Sequence, residues 1–251
     1  MELHLYPDMV ILPDFCFFVY SFAKKMTNKI ILRLLAIFTL SVLASCSKTS
    51  QTEELKNSMR SPILRDNGAV PVIIDAEKRE VIIEAEVNGK YFNSPTRHGV
   101  VFKGGSNGDK AVLRGLCDER EFYQALVDIG AKPGNNLTFE DMKLGKTVEG
   151  EKLDVFVKWD GLEKEIPFAD IIKSADYRTM DLRFGGNFEN AKSKRTGCIL
   201  CLDSCAVGIV SDAAYETGAV EMKKIDRFGR EDILPKDGTK VLVIFRISSN
   251  N

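Results

Sequence analysis

Short runs of apolar, β-branched residues alternate with turn residues along most of the chain after about position 70. Residues 70–74 and 80–87 flank the polar segment 75–79, which predicts two strands joined by a turn. Further strands are predicted for segments 98–102, 111–116, 153–159, 179–184, 208–212 and 240–247. We interpret the glycine-rich segment 103–110 as a hairpin loop. The pattern therefore indicates a chain dominated by strands.

One segment has the spacing of an amphipathic helix. Residues 118–130 start with an aspartate that can cap a helix, place Phe122 and Leu126 on one face and end at a glycine. Residues 166–174 are a second, shorter helix candidate. Because helices are few and strands are many, we expect a single α+β domain with a largely antiparallel sheet and one or two amphipathic helices.

The chain before the predicted domain contains the three parts of a secretory signal peptide in their usual order. Residues 26–45 contain a basic start, an apolar run and then small residues. The run LASC at residues 43–46 resembles a bacterial lipobox, so Cys46 is the predicted lipidated residue. The apolar stretch 34–44 is shorter than the roughly 20 residues that span a bilayer. We therefore predict a lipoprotein signal peptide rather than a membrane-spanning helix.

This signal sets the expected domain organisation. A second apolar patch precedes it within residues 1–25, so we predict that translation starts at Met26 and that this leader reflects a start site placed too early. Residues 46–61 are polar and predict a flexible tether, and residues 62–251 form the globular domain. The protein is expected in the bacterial cell envelope, on the periplasmic or surface face, anchored to the membrane through Cys46.

Composition narrows the function classes. Of 251 residues, 44% are hydrophobic and 28% charged, which is typical of a globular domain. The formal net charge of -1 argues against a nucleic-acid partner, because phosphate binding requires a net basic face. His98 is the one histidine after Met26, and no Gly-x-Ser-x-Gly elbow accompanies it. We interpret His98 as an edge or turn residue, and the sequence does not favour an enzyme.

Three cysteines lie close together in the chain. Cys198, Cys201 and Cys205 have the spacing C-x-x-C-x-x-x-C, which brings the thiols to one point if the backbone winds tightly. Cys117 is the remaining cysteine of the predicted domain and is the candidate fourth ligand. Such thiolates suit an iron-sulfur cluster or zinc. The oxidising envelope favours structural disulfides instead, and an exchangeable redox pair is a third alternative.

Four segments carry a resemblance to the YdjY-type domain, which occurs in bacterial envelope proteins and is often labelled ferredoxin-like. These segments are residues 97–102, 118–134, 155–161 and 196–211. The resemblance implies iron-sulfur or metal binding by Cys198, Cys201 and Cys205. Ala206 stands where the family pattern has proline.

Two functions are therefore expected from the sequence. The first is a membrane-anchored envelope lipoprotein with a cysteine-rich segment that binds a metal or an iron-sulfur-like cofactor, with electron transfer as its role. The alternative is a non-catalytic binding or structural lipoprotein whose cysteines form disulfides.

Overall fold

The protein is described here by a computed structural model over residues 68–176 and 178–249. The strands are β1 Ile73–Asp75, β2 Glu80–Val87, β3 His98–Phe102, β4 Ala111–Gly115, β5 Leu153–Lys158, β6 Ile166–Pro167, β7 Ile172–Ser174, β8 Leu182–Phe184, β9 Cys198–Cys201, β10 Val210–Asp212, β11 Arg227–Gly229 and β12 Lys240–Ile247. The helices are α1 Glu119–Asp128 and α2 Phe188–Lys194. The expected single domain with a largely antiparallel sheet is confirmed, although the sheet is mixed.

The three longest strands of the described chain are neighbours in the large sheet. β12 lies between β2 and β5 and pairs antiparallel with both. Residues of β2 alternate between buried and half-buried positions, the pattern of a strand with one face on the core. Phe245 of β12 is fully buried, and its ring lies 4.5 Å from that of Phe122 on α1. α1 therefore packs on this part of the sheet.

The residues that end α1 on either side are those that the sequence predicts. Asp118 caps the helix, because its carboxylate accepts a hydrogen bond of 2.9 Å from the backbone amide of Arg120. Phe122 and Leu126 are fully buried on the inner face. Gly130, just beyond the helix, has a φ of 87°, which glycine adopts without strain.

The large sheet curls back on itself. Its strand order is β6-β5-β12-β2-β4-β3-β9-β10-β8, and β1 pairs with one end of β2. The pairs β3–β4 and β9–β10 are parallel, and the other neighbours in the large sheet are antiparallel. A bridge between Lys152 and Arg183 joins the β8 edge to the start of β5. The Phe184 amide also donates to the Glu151 carbonyl at 2.8 Å.

The predicted hairpin around residues 103–110 is wrong, because β3 and β4 run parallel. The connection instead folds against the chain that leads into β9, where the Ser106 amide donates to the Arg195 carbonyl at 3.0 Å. A Cβ atom at Gly105 would lie 2.5 Å from the carbonyl oxygen of Thr196. The glycine is thus required by a close backbone approach next to the cysteine segment.

The second predicted helix is also wrong. Residues 166–174 form β6, a 3-10 turn and β7, because Ile166 pairs with Val157 of β5 and Ile172 pairs with Gly229 of β11. β7 and β11 make a separate two-stranded sheet. α2 forms instead in the polar segment before the cysteines. Its single buried residue, Ala191, explains why the apolar pattern did not indicate a helix.

Residues 1–67 lie outside the described part of the chain. They include the predicted leader, signal peptide, lipidation site and tether, together with the predicted start of the domain at position 62. Within the described ranges, no helix has the length and apolar character needed to cross a membrane.

Candidate cysteine and histidine site

Two of the predicted ligands lie on β9, which pairs with β3. His98 lies opposite Cys201, and Val101 lies opposite Cys198. Residues three apart on a regular strand face opposite sides of the sheet. Two register shifts around Val100 place one extra residue in each strand and change these directions. The two sulfur atoms and an imidazole nitrogen therefore lie within 4.8 Å of one another.

This arrangement differs from the expected one in two ways. The cysteine segment is a strand rather than a tight winding, so the bulged pairing with β3 brings the thiols together. His98, interpreted from the sequence as an edge or turn residue, is a member of the group. In the sequence, His98 lies in one of the four segments that carry the family resemblance. Only the pairing of β3 with β9 identifies the residues beside it.

Cys205 approaches the group from the loop between β9 and β10. It is buried and belongs with Cys198 and Cys201 to a small cluster separate from the main core. Its thiol contacts that of Cys201, although Cys205 is outside the 4.8 Å group. A Cβ atom at Gly208 would lie 2.9 Å from Cys201 Sγ. The loop thus packs closely over Cys201 and brings a third thiol beside the pair.

The two strand cysteines have opposite pKa shifts. A hydrogen bond from the Cys201 thiol, together with the nearby His98, lowers the pKa of Cys198 well below that of an ordinary thiol. The Nδ1 atom of His98 lies 3.7 Å from Cys198 Sγ, and the Asn107 side-chain amide lies 3.9 Å from the same sulfur. Hydrogen bonds with Cys198 and Cys205, and burial, raise the pKa of Cys201. The pair therefore favours a thiolate on Cys198, the form that binds metals.

An open cavity of about 660 Å³ leads to this group. All three cysteines are buried, but Cys205 and His98 line the cavity, whereas Cys198 and Cys201 do not. The exposed Lys110 also lines it. Of His98 and the three cysteines, two side chains are thus accessible to a small molecule or ion in the cavity.

A buried ion pair supports the wall of this cavity. The Arg97 guanidinium lies 3.0 Å from the carboxylate of Asp203 and also pairs with Glu221. Burial raises the pKa of Asp203, although the charge of Arg97 opposes this shift. The Val220 amide donates to Asp203 at 3.2 Å. Sequence reasoning missed this network, because nothing local indicates that positions 97 and 203 meet.

Cys117 is placed apart from the other three cysteines. It follows β4 and packs in the main core, whereas the others form their own cluster. Burial, with Glu121 and Asp118 nearby, raises the pKa of its thiol. The four cysteines of the described chain are free thiols. The ligand role of Cys117 stays a prediction, since the structure brings His98 to the pair instead.

The donor set fits one metal ion better than a multi-iron cluster. Zinc binds thiolate sulfur at about 2.3 Å and imidazole nitrogen at about 2.0–2.1 Å, so tetrahedral ligand atoms lie about 3.5–3.8 Å apart. In the group of His98, Cys198 and Cys201, the His98 Nδ1 to Cys198 Sγ distance of 3.7 Å already has that spacing, and the other distances need a contraction of at most about 1 Å. The common iron-sulfur clusters take four cysteine thiolates around several iron atoms, whereas this group provides two thiols and one imidazole.

The curled sheet with its cysteine and histidine group defines a domain whose family is shown by comparison with known proteins. The model of the YdjY domain matches residues 72–246, so the chain belongs to the YdjY domain family. The chain is 43% identical over 179 residues to "Uncharacterized protein YdjY" of Escherichia coli (strain K12), across 71% of this chain and 79% of that protein. No solved structure matches the chain. The family resemblance inferred from the sequence is confirmed.

Proposed function

We propose that this protein is an envelope lipoprotein whose domain binds one transition-metal ion through His98, Cys198 and Cys201. The grouping of two sulfur atoms and one imidazole nitrogen within 4.8 Å carries the proposal. Metal binding needs deprotonated cysteine, and the lowered pKa of Cys198 makes its thiolate available. Pairing of the two strands holds the three donors before a metal arrives, which reduces the cost of ordering them.

Cys205 is the proposed fourth ligand. It contacts Cys201 from a loop, and both it and His98 line the cavity. Structural zinc sites are closed by four protein ligands, whereas exchangeable and catalytic sites keep one position open. A loop ligand next to a cavity allows both states. We therefore assign Cys205 the control of access to the metal.

Zinc and iron both suit sulfur and imidazole ligands. Iron at this site would supply one-electron transfer, and the domain would then be an electron-transfer module. Zinc would supply structural stability. The contribution of the chain is the same in both cases, because the buried thiols and His98 fix the position of the ion.

A thiol redox pair is the second candidate, favoured by the lowered pKa of Cys198. The Cys198 thiolate would attack a disulfide of a partner protein and release one partner thiolate. Cys201, after losing its proton, would then displace the second partner thiolate and form the Cys198–Cys201 disulfide. Two electrons pass to the partner, whose disulfide becomes two thiols. Burial of both cysteines disfavours this reaction, because a partner disulfide must reach the sulfur.

The membrane anchor is a separate part of the proposal, and the lipobox at residues 43–46 supports it. Lipidation of Cys46 is expected to place the full chain in the membrane fraction, with a diacylglyceryl group on the first peptide of the mature protein. Cys46→Ser should remove that modification in mass spectrometry. A soluble, unmodified wild-type protein would contradict the anchor and leave the metal site unaffected.

Metal analysis of the full chain tests the site. We would purify it anaerobically from the membranes of its own organism and measure iron, zinc and copper. About one metal ion per chain is expected. Three or four irons would indicate a cluster instead. A metal-free protein that also fails to bind added zinc or cobalt would refute metal binding.

Variants then identify the ligands. Cys198→Ser and Cys201→Ser should each weaken both cobalt affinity and the sulfur-to-cobalt absorption, because each removes one thiolate ligand. Cys205→Ser should retain metal and release it faster to a chelator. Cys117→Ser is the matched control, because it also removes a buried thiol but lies in the main core. Loss of metal in this control would restore Cys117 as a ligand.

A further inference from the structure

We propose a second ligand site, for a small molecule that carries an oxyanion group, in a cavity of about 620 Å³ beside the two-stranded sheet. We call it the arginine cavity, after Arg178, Arg227 and Arg230, which line it. It shares no lining residue with the cavity next to the cysteine and histidine group. The inference is therefore independent of metal binding.

Two different parts of the chain supply the arginines. Arg227 belongs to β11, Arg230 follows the same strand, and Arg178 lies in the segment before β8. Tyr215 organises two of them, because the guanidinium carbons of Arg178 and Arg227 lie 4.2 and 4.4 Å from the centre of its ring. Such stacking fixes the planes of the guanidinium groups, and Arg178 is held further by hydrogen bonds to Asp176 and to the Ala214 carbonyl.

Positive charge exceeds negative charge on the cavity wall. Four basic side chains line it, namely Lys173, Arg178, Arg227 and Arg230, against the two acids Asp176 and Asp232. Arg178 pairs with Asp176 at 3.1 Å, and Arg230 pairs with Asp232 at 2.6 Å. The excess on the wall comes from Lys173, which is exposed, and from Arg227, whose ion-pair partner Asp212 lies outside the lining. Such a wall attracts anions.

Arg227 is the member whose hydrogen bonds are least satisfied. Its side chain is 3% exposed, and its one ion pair, with Asp212, is long at 3.4 Å. Its Nε atom is buried and has no hydrogen-bond partner among the residues that the structure describes. A buried guanidinium with unused donors is costly unless another acceptor completes its shell. Because Arg227 lines the cavity, an oxyanion bound there can contact its guanidinium group, although the Nε atom itself is buried.

The remaining wall indicates the class of ligand. Ile172 and Met180 contribute apolar surface, and Ser174 and Thr179 contribute hydroxyl groups. Arginine forks bind both carboxylate and phosphate through two parallel hydrogen bonds. The wall thus fits an organic acid or a phosphate ester whose anionic group meets the arginines while a short apolar part contacts Ile172 and Met180.

Calorimetric titration of the full chain tests the site. The probes are inorganic phosphate, glycerol phosphate and succinate at constant ionic strength, with chloride as the reference anion. We expect at least one oxyanion probe to bind. Tighter binding of succinate would assign a carboxylate, and tighter binding of glycerol phosphate would assign a phosphate ester. A chain that binds none of the three overturns the proposal.

Variants locate the binding. Arg230→Gln removes a half-buried donor from the wall, and the affinity should fall roughly ten- to a hundredfold. Arg227→Gln should have a similar effect. Because Arg227 is buried, however, this variant can also fail to fold, so the Arg230 variant is the one that tests the site. Lys240→Gln is the control, since this exposed lysine lies outside the cavity. Equal affinity in the Arg230 variant and the wild type would place the anion elsewhere. Metal content is expected to stay unchanged.

Discussion

Gly208→Ala tests whether the cysteine loop packs closely against Cys201. A close contact predicts that the variant loses stability, whereas a loose loop predicts that it gains stability. An added methyl group would lie 2.9 Å from Cys201 Sγ and 2.7 Å from Ser211 Oγ. Carbon atoms pack at about 3.5–4.0 Å, so the sulfur or the loop must retreat by roughly 0.6–1 Å. The φ angle of Gly208 lies outside the left-handed region, and alanine therefore meets no backbone strain.

The two contributions to stability can be compared. Overpacking of a filled interior costs about 1–3 kcal/mol. Restricting the unfolded chain by replacing glycine with alanine stabilises by about 0.4–1 kcal/mol. We expect a net loss of about 1–2 kcal/mol, which lowers the melting temperature by roughly 2–8 °C for a domain of this size. Cobalt affinity should also fall, because the displaced sulfur belongs to the proposed metal ligand Cys201.

Thermal unfolding by circular dichroism, with and without metal, measures both effects. Gly238→Ala is the control: its φ of 77° gives backbone strain, but a Cβ atom there meets nothing within 4 Å. This control should lose stability and keep its metal affinity. A higher melting temperature in Gly208→Ala, with unchanged cobalt binding, would refute the close contact between the loop and Cys201.

Three further predictions concern the core, the ion pair and the thiols. Phe122→Ala should lower the free energy of unfolding by about 3–5 kcal/mol in urea titration, because the ring is fully buried, and an effect below 1 kcal/mol would contradict that packing. Asp203→Asn should cost about 1–3 kcal/mol by the same assay, since it weakens the pairing with Arg97; an unchanged midpoint would show that Glu221 suffices. In the metal-free protein, thiolate absorbance should show one thiol, Cys198, ionising at a pH below that of ordinary thiols. Stability should then rise with pH from the folded pKa of Cys198 to the ordinary thiol pKa of about 8.5, because in this range only the folded chain has lost the Cys198 proton. Above that pH stability should fall, because the unfolded chain loses the Cys201 proton that the folded chain retains. A monotonic profile would contradict the paired shifts.

Local sequence patterns predict elements that local forces determine. The capped helix α1 and the alternating strands β2 and β12 all lie where their patterns placed them. Parallel pairing of β3 with β4 was not predictable, because glycines suit both a hairpin and a close backbone approach. Residues 166–174 are apolar enough for a helix, and only pairing with β11 makes their end a strand.

The candidate site was predicted in part, for a similar reason. The spacing of Cys198, Cys201 and Cys205 marks them as a group in the sequence. His98 lies 100 positions from Cys198, and only long-range pairing brings the two together. Cys117 qualified because it was the fourth cysteine of the domain. A count of thiols cannot determine which of them the fold buries in the main core.

The polar segment that gave no helix signal has a structural part in the site. Asn187, the residue before α2, donates its side-chain amide to the Cys205 carbonyl at 3.2 Å, and Asn190 of α2 donates to the Ala206 carbonyl at 2.9 Å. The helix therefore holds the cysteine loop through backbone oxygens. Proline, which the family resemblance implies at position 206, would also carry a carbonyl, so this contact does not depend on the side chain there. The departure at Ala206 thus leaves the support of the loop intact, and Cys205 keeps its place beside Cys201.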